Sequence, residues 1–246
     1  MIGSAKQSGL TVCGEGASVT EPIDPTTLTV GVLGGTGAQG KGLALRWAKA
    51  GIRVIIGSRA AERAEASAAE YRRLTGTEHI TGADNATCAG EADVVLAAVP
   101  WESHADTLTG LVELLRGKIL IDCVNPLGFD KKGPYPLPVE EGSVAQQAEQ
   151  LLPETRVTAA FHNVSAVLLS DLDQAEVDCD VLVLGDDREA TDVVRALADA
   201  IPGVRGVFAG RLRNAYQVEC LTANLIAINR RYKVHAGVKI VWPEEH

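Results

Sequence analysis

Leu28-Thr-Val-Gly-Val-Leu33-Gly34-Gly35-Thr36-Gly37-Ala38-Gln39-Gly40 is the stretch on which the fold turns. Its first six residues are apolar and β-branched and are stopped by glycines, as in a strand buried on both faces of a parallel sheet. Gly35, Gly37 and Gly40 fit G-x-G-x-x-G between that strand and a helix that starts at Ala38. In that pattern Gly35 permits the tight turn, Gly37 lets backbone approach a pyrophosphate, and Gly40 lets helix pack close on sheet. The helix N-terminus, through Ala38 and Gln39, adds unpaired N–H groups and partial positive charge. Glycines alone can make a purely structural turn; the strand–turn–helix setting favours a bound dinucleotide.

Outward from this turn, strands and helices alternate. Ala38 to Ala50 has helical spacing, with Gly51 as its C-cap. Arg53 to Gly57 reads as a strand, Ala60 to about Thr75 as a helix, His79 to Gly82 as a weak strand and Asn85 to Gly90 as a short helix. Ala92 to Val99 is a buried strand halted by Pro100; a helix from Ser103 to Leu115 and a strand from Lys118 to Val124 follow. Residues 128–142 hold three prolines and two lysines and read as a loop. Beyond them come a helix (Ser143 to Leu152), strands at Arg156 to Phe161 and Asp180 to Leu184, a helix from Arg188 to Ala200 and a strand from Gly203 to Ala209. A long helix from Leu212 to about Arg231 and an apolar segment from Gly237 to Trp242 close the chain. This alternation predicts an α/β fold, a Rossmann-type doubly wound parallel sheet with a smaller α/β C-terminal domain. The expected division is 27–153 and 154–246. Residues 1–26, rich in Gly, Ser, Thr and Pro and without periodicity, read as a disordered extension.

Composition narrows the function. The 246 residues are 46% hydrophobic and carry 23 basic against 32 acidic side chains, a formal charge of −9. With no basic block to offset that balance, a nucleic-acid partner is not expected. Cys13, Cys88, Cys123, Cys179 and Cys220 show no CxxC and no ligand spacing, which fits free thiols in a reducing cytoplasm. No apolar run reaches the roughly 20 residues of a membrane span, and the N-terminus lacks a secretory h-region. No metal-ligand spacing and no catalytic Ser/His/Asp set is visible.

The nucleotide type is read at the tip of the second strand. A fold specific for NAD places Asp or Glu there, about 20 residues beyond the glycines; here the tip is Gly57-Ser58-Arg59. Arg59 offers a planar fork of donors to a 2′-phosphate and Ser58 a hydroxyl, and Arg63 lies on the same helical face. The alternative is an ordinary basic helix start with solvated arginines, which a helix N-terminus disfavours. NADP is the expected nucleotide.

In such sheets the ligand lies across the carboxyl ends of the strands. Val99-Pro100-Trp101 can wall the nicotinamide or its partner ring, and Asn125, before Pro126, can bond an amide. Trp101 reads equally as a packed rim residue, and Asn125-Pro126 as a turn. His162, at a strand end, is either a structural hydrogen bonder or a substrate contact. With so little acid–base equipment, the chemistry suited to the cleft is hydride transfer between two bound rings, where the cofactors carry the reaction.

Taken together, Gly34-Gly35-Thr36-Gly37, Ile56-Gly57-Ser58-Arg59, Ala98-Val99-Pro100-Trp101, Val124-Asn125-Pro126, Phe161-His162-Asn163 and Asn214 to Thr222 resemble the NADPH:coenzyme F420 (8-hydroxy-5-deazaflavin) oxidoreductase family, over residues 28 to 242. The resemblance implies reversible hydride transfer between C4 of the nicotinamide and C5 of the deazaflavin, with no catalytic side chain assigned. It implies that Thr36, Ser58, Arg59 and Arg63 hold the adenosine 2′-phosphate, Arg63 standing where lysine is usual. It implies that Pro100, Trp101, His162 and Asn163 line the deazaflavin cleft and that Thr222 and the segment near Gly237 close it. Tyr216 stands where some members have arginine. The family implies a homodimer; the helix 212 to 231 can form its interface or pack within the monomer. Rival readings are an NADP-dependent reductase of a small imine or ketoacid, a flavin-directed reductase, and an NADP-sensing protein without turnover. The strand-rich second half speaks against the first, whose members usually continue with an all-helical domain.

Overall fold

The computed structural model describes residues 23–242. Residues 1–22 of the expected extension, Cys13 among them, lie outside that range. From residue 23 the chain is already placed: Pro25–Thr27 form a 3-10 turn capped by Asp24, whose carboxylate accepts the Thr26 N–H at 2.9 Å.

The elements follow in order. β1 (Thr29–Leu33) leads into α1 (Ala38–Lys49), β2 (Arg53–Ser58), α2 (Ala61–Thr75), β3 (Ile80–Asp84), α3 (Asn85–Glu91) and β4 (Val94–Ala97). Then come α4 (His104–Thr109), α5 (Val112–Leu115), β5 (Ile119–Asp122), β6 (Leu127–Asp130), β7 (Gly133–Pro136), α6 (Val144–Leu151) and β8 (Arg156–Ala159). α7 (Ala166–Ser170), β9 (Cys179–Gly185), α8 (Arg188–Asp199), β10 (Val204–Gly210) and α9 (Ala215–Tyr232) complete the chain. No helix among the described residues is long and apolar enough to cross a membrane.

One sheet runs through both halves of the chain, in the order β10-β9-β8-β5-β4-β1-β2-β3. The six strands from β3 to β8 are parallel, so their carboxyl ends share one edge. β9 pairs antiparallel with β8, and β10 is parallel to β9. That reversal brings the start of β9 to the edge where the other strands end. Helices cover two buried apolar clusters, one with Leu43, Trp47 and Val194, the other with Leu108, Leu115 and Leu152.

Three expectations change. The helix expected from Ser103 to Leu115 is a 3-10 turn (Trp101–Ser103) followed by α4 and α5, parted at Gly110-Leu111. Residues 128–142, read as a loop, contain the β6–β7 ribbon. Asp130 Oδ1 accepts the N–H groups of Lys132 and Gly133, Gly133 takes φ 121°, and a two-stranded ribbon, both of whose strands are edges, tolerates Pro134 and Pro136. α7 carries no signal in the sequence. Five residues are too few to show a period, and this helix is held from outside itself. The buried Arg46 of α1 donates to the carbonyls of Leu168, Leu169, Asp171 and Gln174.

Candidate active site

The carboxyl ends of β1, β2 and β4 surround a cleft of about 470 Å³. The left-handed residue of the glycine turn is Gly34 (φ 76°), one place before the glycine assigned that task from the pattern. Gly40 fits its expected role, because a Cβ there would lie 2.8 Å from the Gly35 Cα and 2.9 Å from the Gly34 carbonyl oxygen. Gly35 is tucked against Ile56 and the Val32 carbonyl and does not face the cleft. Gly37 is the N-cap of α1 and offers no side chain to its N–H groups. An anion can therefore take them.

Thr36, Gly37, Ala38, Gln39, Ser58 and Arg59 line this cleft, as do Arg63 and Pro100. Lys41 and Arg72 are paired with Glu70 and Glu65, but Arg59 and Arg63 take no part in the ion pairs of the described residues. The nearest strand-end acid, Asp84, accepts the Thr87 N–H at 2.8 Å as the cap of α3 and does not line the cleft. Two exposed guanidiniums with no competing carboxylate, beside a helix N-terminus with no side-chain cap (Ala60), fit a phosphate monoester.

Gln39 also lines a second cleft, of about 260 Å³, with Asn125, His162, Asn163 and Thr222. Its Nε2 donates to the Phe161 carbonyl at 3.1 Å, tying the glycine turn to the strand end that bears His162. Phe161 holds φ 65°, a left-handed conformation rare for a bulky residue. Its ring is fully buried and meets Trp47 edge-on at 5.5 Å, so packing over-determines the strained backbone. Thr222 Oγ1 lies 2.8 Å from the His162 carbonyl and 3.0 Å from Asn125 Oδ1.

His162 is 3% exposed, and neither ring nitrogen has a partner; the Asn163 carboxamide donates to the Asp180 carbonyl at 2.7 Å but its oxygen is also unpartnered. Burial, opposed by the Asp122 charge, pushes the His162 pKa down to about 4, so the ring is neutral near pH 7. A neutral imidazole offers one donor and one acceptor. Leaving both unmet inside a protein costs about 1–3 kcal/mol per group. The polar edge of a ring ligand would satisfy them.

The family profile described as NADP oxidoreductase coenzyme F420-dependent matches residues 29–126. An F420-dependent NADP reductase of Methanothermobacter thermautotrophicus is 42% identical over 225 residues, which cover 89% of this chain and 97% of that protein. This chain belongs to the F420-dependent NADP reductase family. A second family member, from Methanocaldococcus jannaschii, is 42% identical over 221 residues, 87% of this chain and 98% of its own. The crystal structure of a candidate F420-dependent NADP reductase from Arthrobacter sp. FB24 superposes with a TM-score of 0.75 at 29% identity, over 87% of this chain and all of that one. The resemblance read from the motifs thus extends over nearly nine-tenths of the chain.

Besides Gly35 and Gly40, which serve the packing of the turn, four expected site residues stand outside both clefts. Val99 packs on the apolar cluster beneath α4 and α6. Trp101 is partly buried, its ring 5.8 Å from that of His104. Pro126 is buried and accepts the Leu137 N–H at 2.7 Å, closing the base of the ribbon. Gly237 lies against Cys179, while its neighbour Ala236 reaches the second cleft. Other lining residues lie outside the motifs of the sequence. Asn85 follows β3 as Ser58 ends β2, so the strand-end rule extended by one strand would have found it. Leu225, Ile226 and Asn229 lie three, four and seven residues after Thr222, on one helical face. A cavity of about 420 Å³ near the other end of β9 is less suited to an anion, because Arg195 and Arg211 are already bonded to Asp192 and Asp186.

Proposed function

We propose that this chain transfers hydride reversibly between NADP(H) and coenzyme F420. The observation that carries the reading is the junction at Gln39: a basic cleft free of lining carboxylates opens beside a second cleft with an orphaned, buried His162 ring. When bound, the nicotinamide and deazaflavin rings supply the chemistry, transfer between C4 of one and C5 of the other.

The chain's own residues bind and orient. Thr36, Ser58, Arg59 and Arg63 hold the 2′-phosphate, and the N-terminus of α1 takes the pyrophosphate. Gly35 and Gly40 serve by letting the turn and helix pack closely. Pro100, with Trp101 and Val99 behind it, supports the nicotinamide. Asn125, with Pro126 fixing its turn, and His162, Asn163 and Thr222 hold the deazaflavin, and the segment at Ala236 and Gly237 borders it. In this division residues 27–153 carry the nucleotide and residues 154–246 complete the acceptor cleft. The protein acts as a homodimer in the cytoplasm, with small redox cofactors and no nucleic acid or membrane as partners. α9 is its interface candidate because Ile228 and Tyr232 are exposed on it.

The test is absorbance in the deazaflavin band as NADPH, then NADH, is added to enzyme and oxidised F420. Bleaching with NADPH and little with NADH is expected. Tight NADPH binding without bleaching would leave the nucleotide site standing and sink the acceptor.

A further inference from the structure

Close to the second cleft, three ionisable side chains are sealed from solvent: His104 on α4, Asp122 at the end of β5 and Glu219 on α9, each 0% exposed. Hydrogen bonding dictates the state of the histidine. His104 Nε2 lies 2.8 Å from Asp122 Oδ2, and Nδ1 lies 3.0 Å from Gln147 Oε1. Gln147 is oriented by its amide nitrogen, which donates to Glu141 Oε1 at 3.1 Å. Both ring nitrogens therefore face acceptors, and only the doubly protonated imidazolium satisfies both. Burial opposes that charge, but Asp122, Gln147 and Glu219 outweigh it and raise the ring's pKa.

Glu219 is the third charge. Its two oxygens accept the N–H groups of Val144 and Ala145 at 3.0 and 3.1 Å, at the start of α6. Burial pushes its carboxyl up to about 7, with Asp122 adding to the rise and the N–H groups and His104 opposing it. The charged groups acting on it are Asp122 from β5 and His104 from α4. α6 contributes backbone N–H only, Tyr216 and Cys220 stand beside it on α9, and Glu141 reaches the cluster through Gln147.

Neither carboxylate nor the imidazolium lines a cleft, yet they grip both sides of one floor. Asp122 Oδ1 accepts the Val124 N–H at 3.0 Å and so fixes the turn into Asn125. Glu219 lies three residues before Thr222, whose hydroxyl sits between Asn125 and the His162 carbonyl. Trp101 packs on the His104 ring. Stability does not call for such a cluster, since buried ion pairs replaced by apolar side chains are often no less stable; perturbed ionisable groups gather instead at working sites.

We propose that His104, Asp122 and Glu219 are positioning residues for hydride transfer, a buried acid–base network whose protonation sets the Asn125–His162–Thr222 floor of the acceptor cleft. The role rests on the deazaflavin reading of that cleft. At low pH Glu219 is protonated and Glu219→Gln matches its charge, with one N–H acceptor fewer at every pH; at high pH the wild type carries a buried charge that the variant lacks.

Two measurements on the full chain test this. Single-turnover rates of F420 reduction by NADPH are compared for wild type and Glu219→Gln from about pH 6 to about pH 8, either side of the carboxyl's value of about 7. Ionisations of the cofactors are common to both proteins and cancel. The lost N–H acceptor offsets the ratio of rates by the same factor throughout, and the ratio should change about fivefold between the acid and the basic end. A ratio constant across the range, as a merely structural role gives, overturns the proposal. In parallel, nitrogen-15 NMR of the histidines in the wild type should show one ring with both nitrogens protonated near pH 7, its shifts inflecting where the rate does. A neutral ring at His104, or no shared inflection, overturns it even if the variant fails to fold. Failure of the wild type to reduce F420 at any pH removes the acceptor reading and this role with it, while the NMR still reports whether the charged network exists.

Discussion

Arg59 stands at the end of β2 with its guanidinium in solvent and with no ion pair among the described residues, an arrangement with little to offer stability and much to offer an anion. Hydrogen bonds to charged groups are worth about 1.5–3 kcal/mol, so Arg59→Glu should raise the NADPH Kd on the order of 10- to 100-fold. NADH, which lacks the 2′-phosphate, should change by no more than about threefold, the scale of an exposed charge pair. Fluorescence titration with both nucleotides checks this; equal losses would place the 2′-phosphate elsewhere. Such residues were legible because charge type and strand position are local properties of the sequence. Phe161 was not. Its φ of 65° is imposed by burial against Trp47 and by the Gln39 bond to its carbonyl, contacts more than a hundred residues apart in the chain. Nor did the residue types of His104, Asp122 and Glu219 reveal that they meet, since α4, β5 and α9 come together only in the folded sheet.

At the scale of elements, α1 shows how one spacing serves both packing and binding. Alanine is favoured over glycine in a helix by up to about 1 kcal/mol. At Gly40 a Cβ would meet backbone at 2.8 and 2.9 Å, and backbone cannot rotate away. Overpacking of this kind costs about 1–3 kcal/mol, so the clash should win over the propensity. Gly40→Ala is expected to lower the Tm by about 2–4 °C per kcal/mol lost, and to weaken NADPH by tilting α1 off the turn. Gly90→Ala is the matched control: a Cβ in α3 would meet only Leu114 Cδ2 at 3.6 Å, an ordinary contact. Its Tm should hold or rise in calorimetry, and a Gly40→Ala protein as stable as the control would refute the packing argument. The repeating strands and long helices were legible because their periods span many residues. The break between α4 and α5, the β6–β7 ribbon and the five-residue α7 were not, because each depends on a turn or on an anchor such as Arg46 that carries no period.

Across the whole molecule, the reversal at β9 sets what lies beside the second cleft, and direction is invisible in a run such as Val181-Leu-Val-Leu184, since a buried strand has the same composition either way. The reversal carries the start of β9 to the cleft edge, where the C-terminal segment crosses it. Asp180 N–H donates to the Val238 carbonyl at 2.7 Å, and its carboxylate accepts the Ile240 N–H at 2.6 Å and both arms of Arg205 at 2.9 and 2.6 Å. Arg205 also donates to the Ile240 carbonyl and lies 4.0 Å over the Trp242 ring. Beneath this latch Gly237 covers Cys179, and Ala236 reaches the second cleft. Arg205 is partly in water, so its loss should change how often the tail lifts by no more than about fivefold. Arg205→Ala should therefore speed labelling of Cys179 by a thiol reagent about fivefold at fixed pH. Labelling of Cys220, which the tail does not cover, should stay unchanged, with sites resolved by peptide mapping. The same variant should raise the KM for F420 and leave that for NADPH alone, because the tail borders the second cleft, the one proposed for the deazaflavin, through Ala236. Unaltered Cys179 labelling would mean that the Asp180 N–H bond to Val238 and the carboxylate's bond to the Ile240 N–H hold the tail without Arg205, and Asp180→Asn, which weakens the second of these, would then be the variant that frees it.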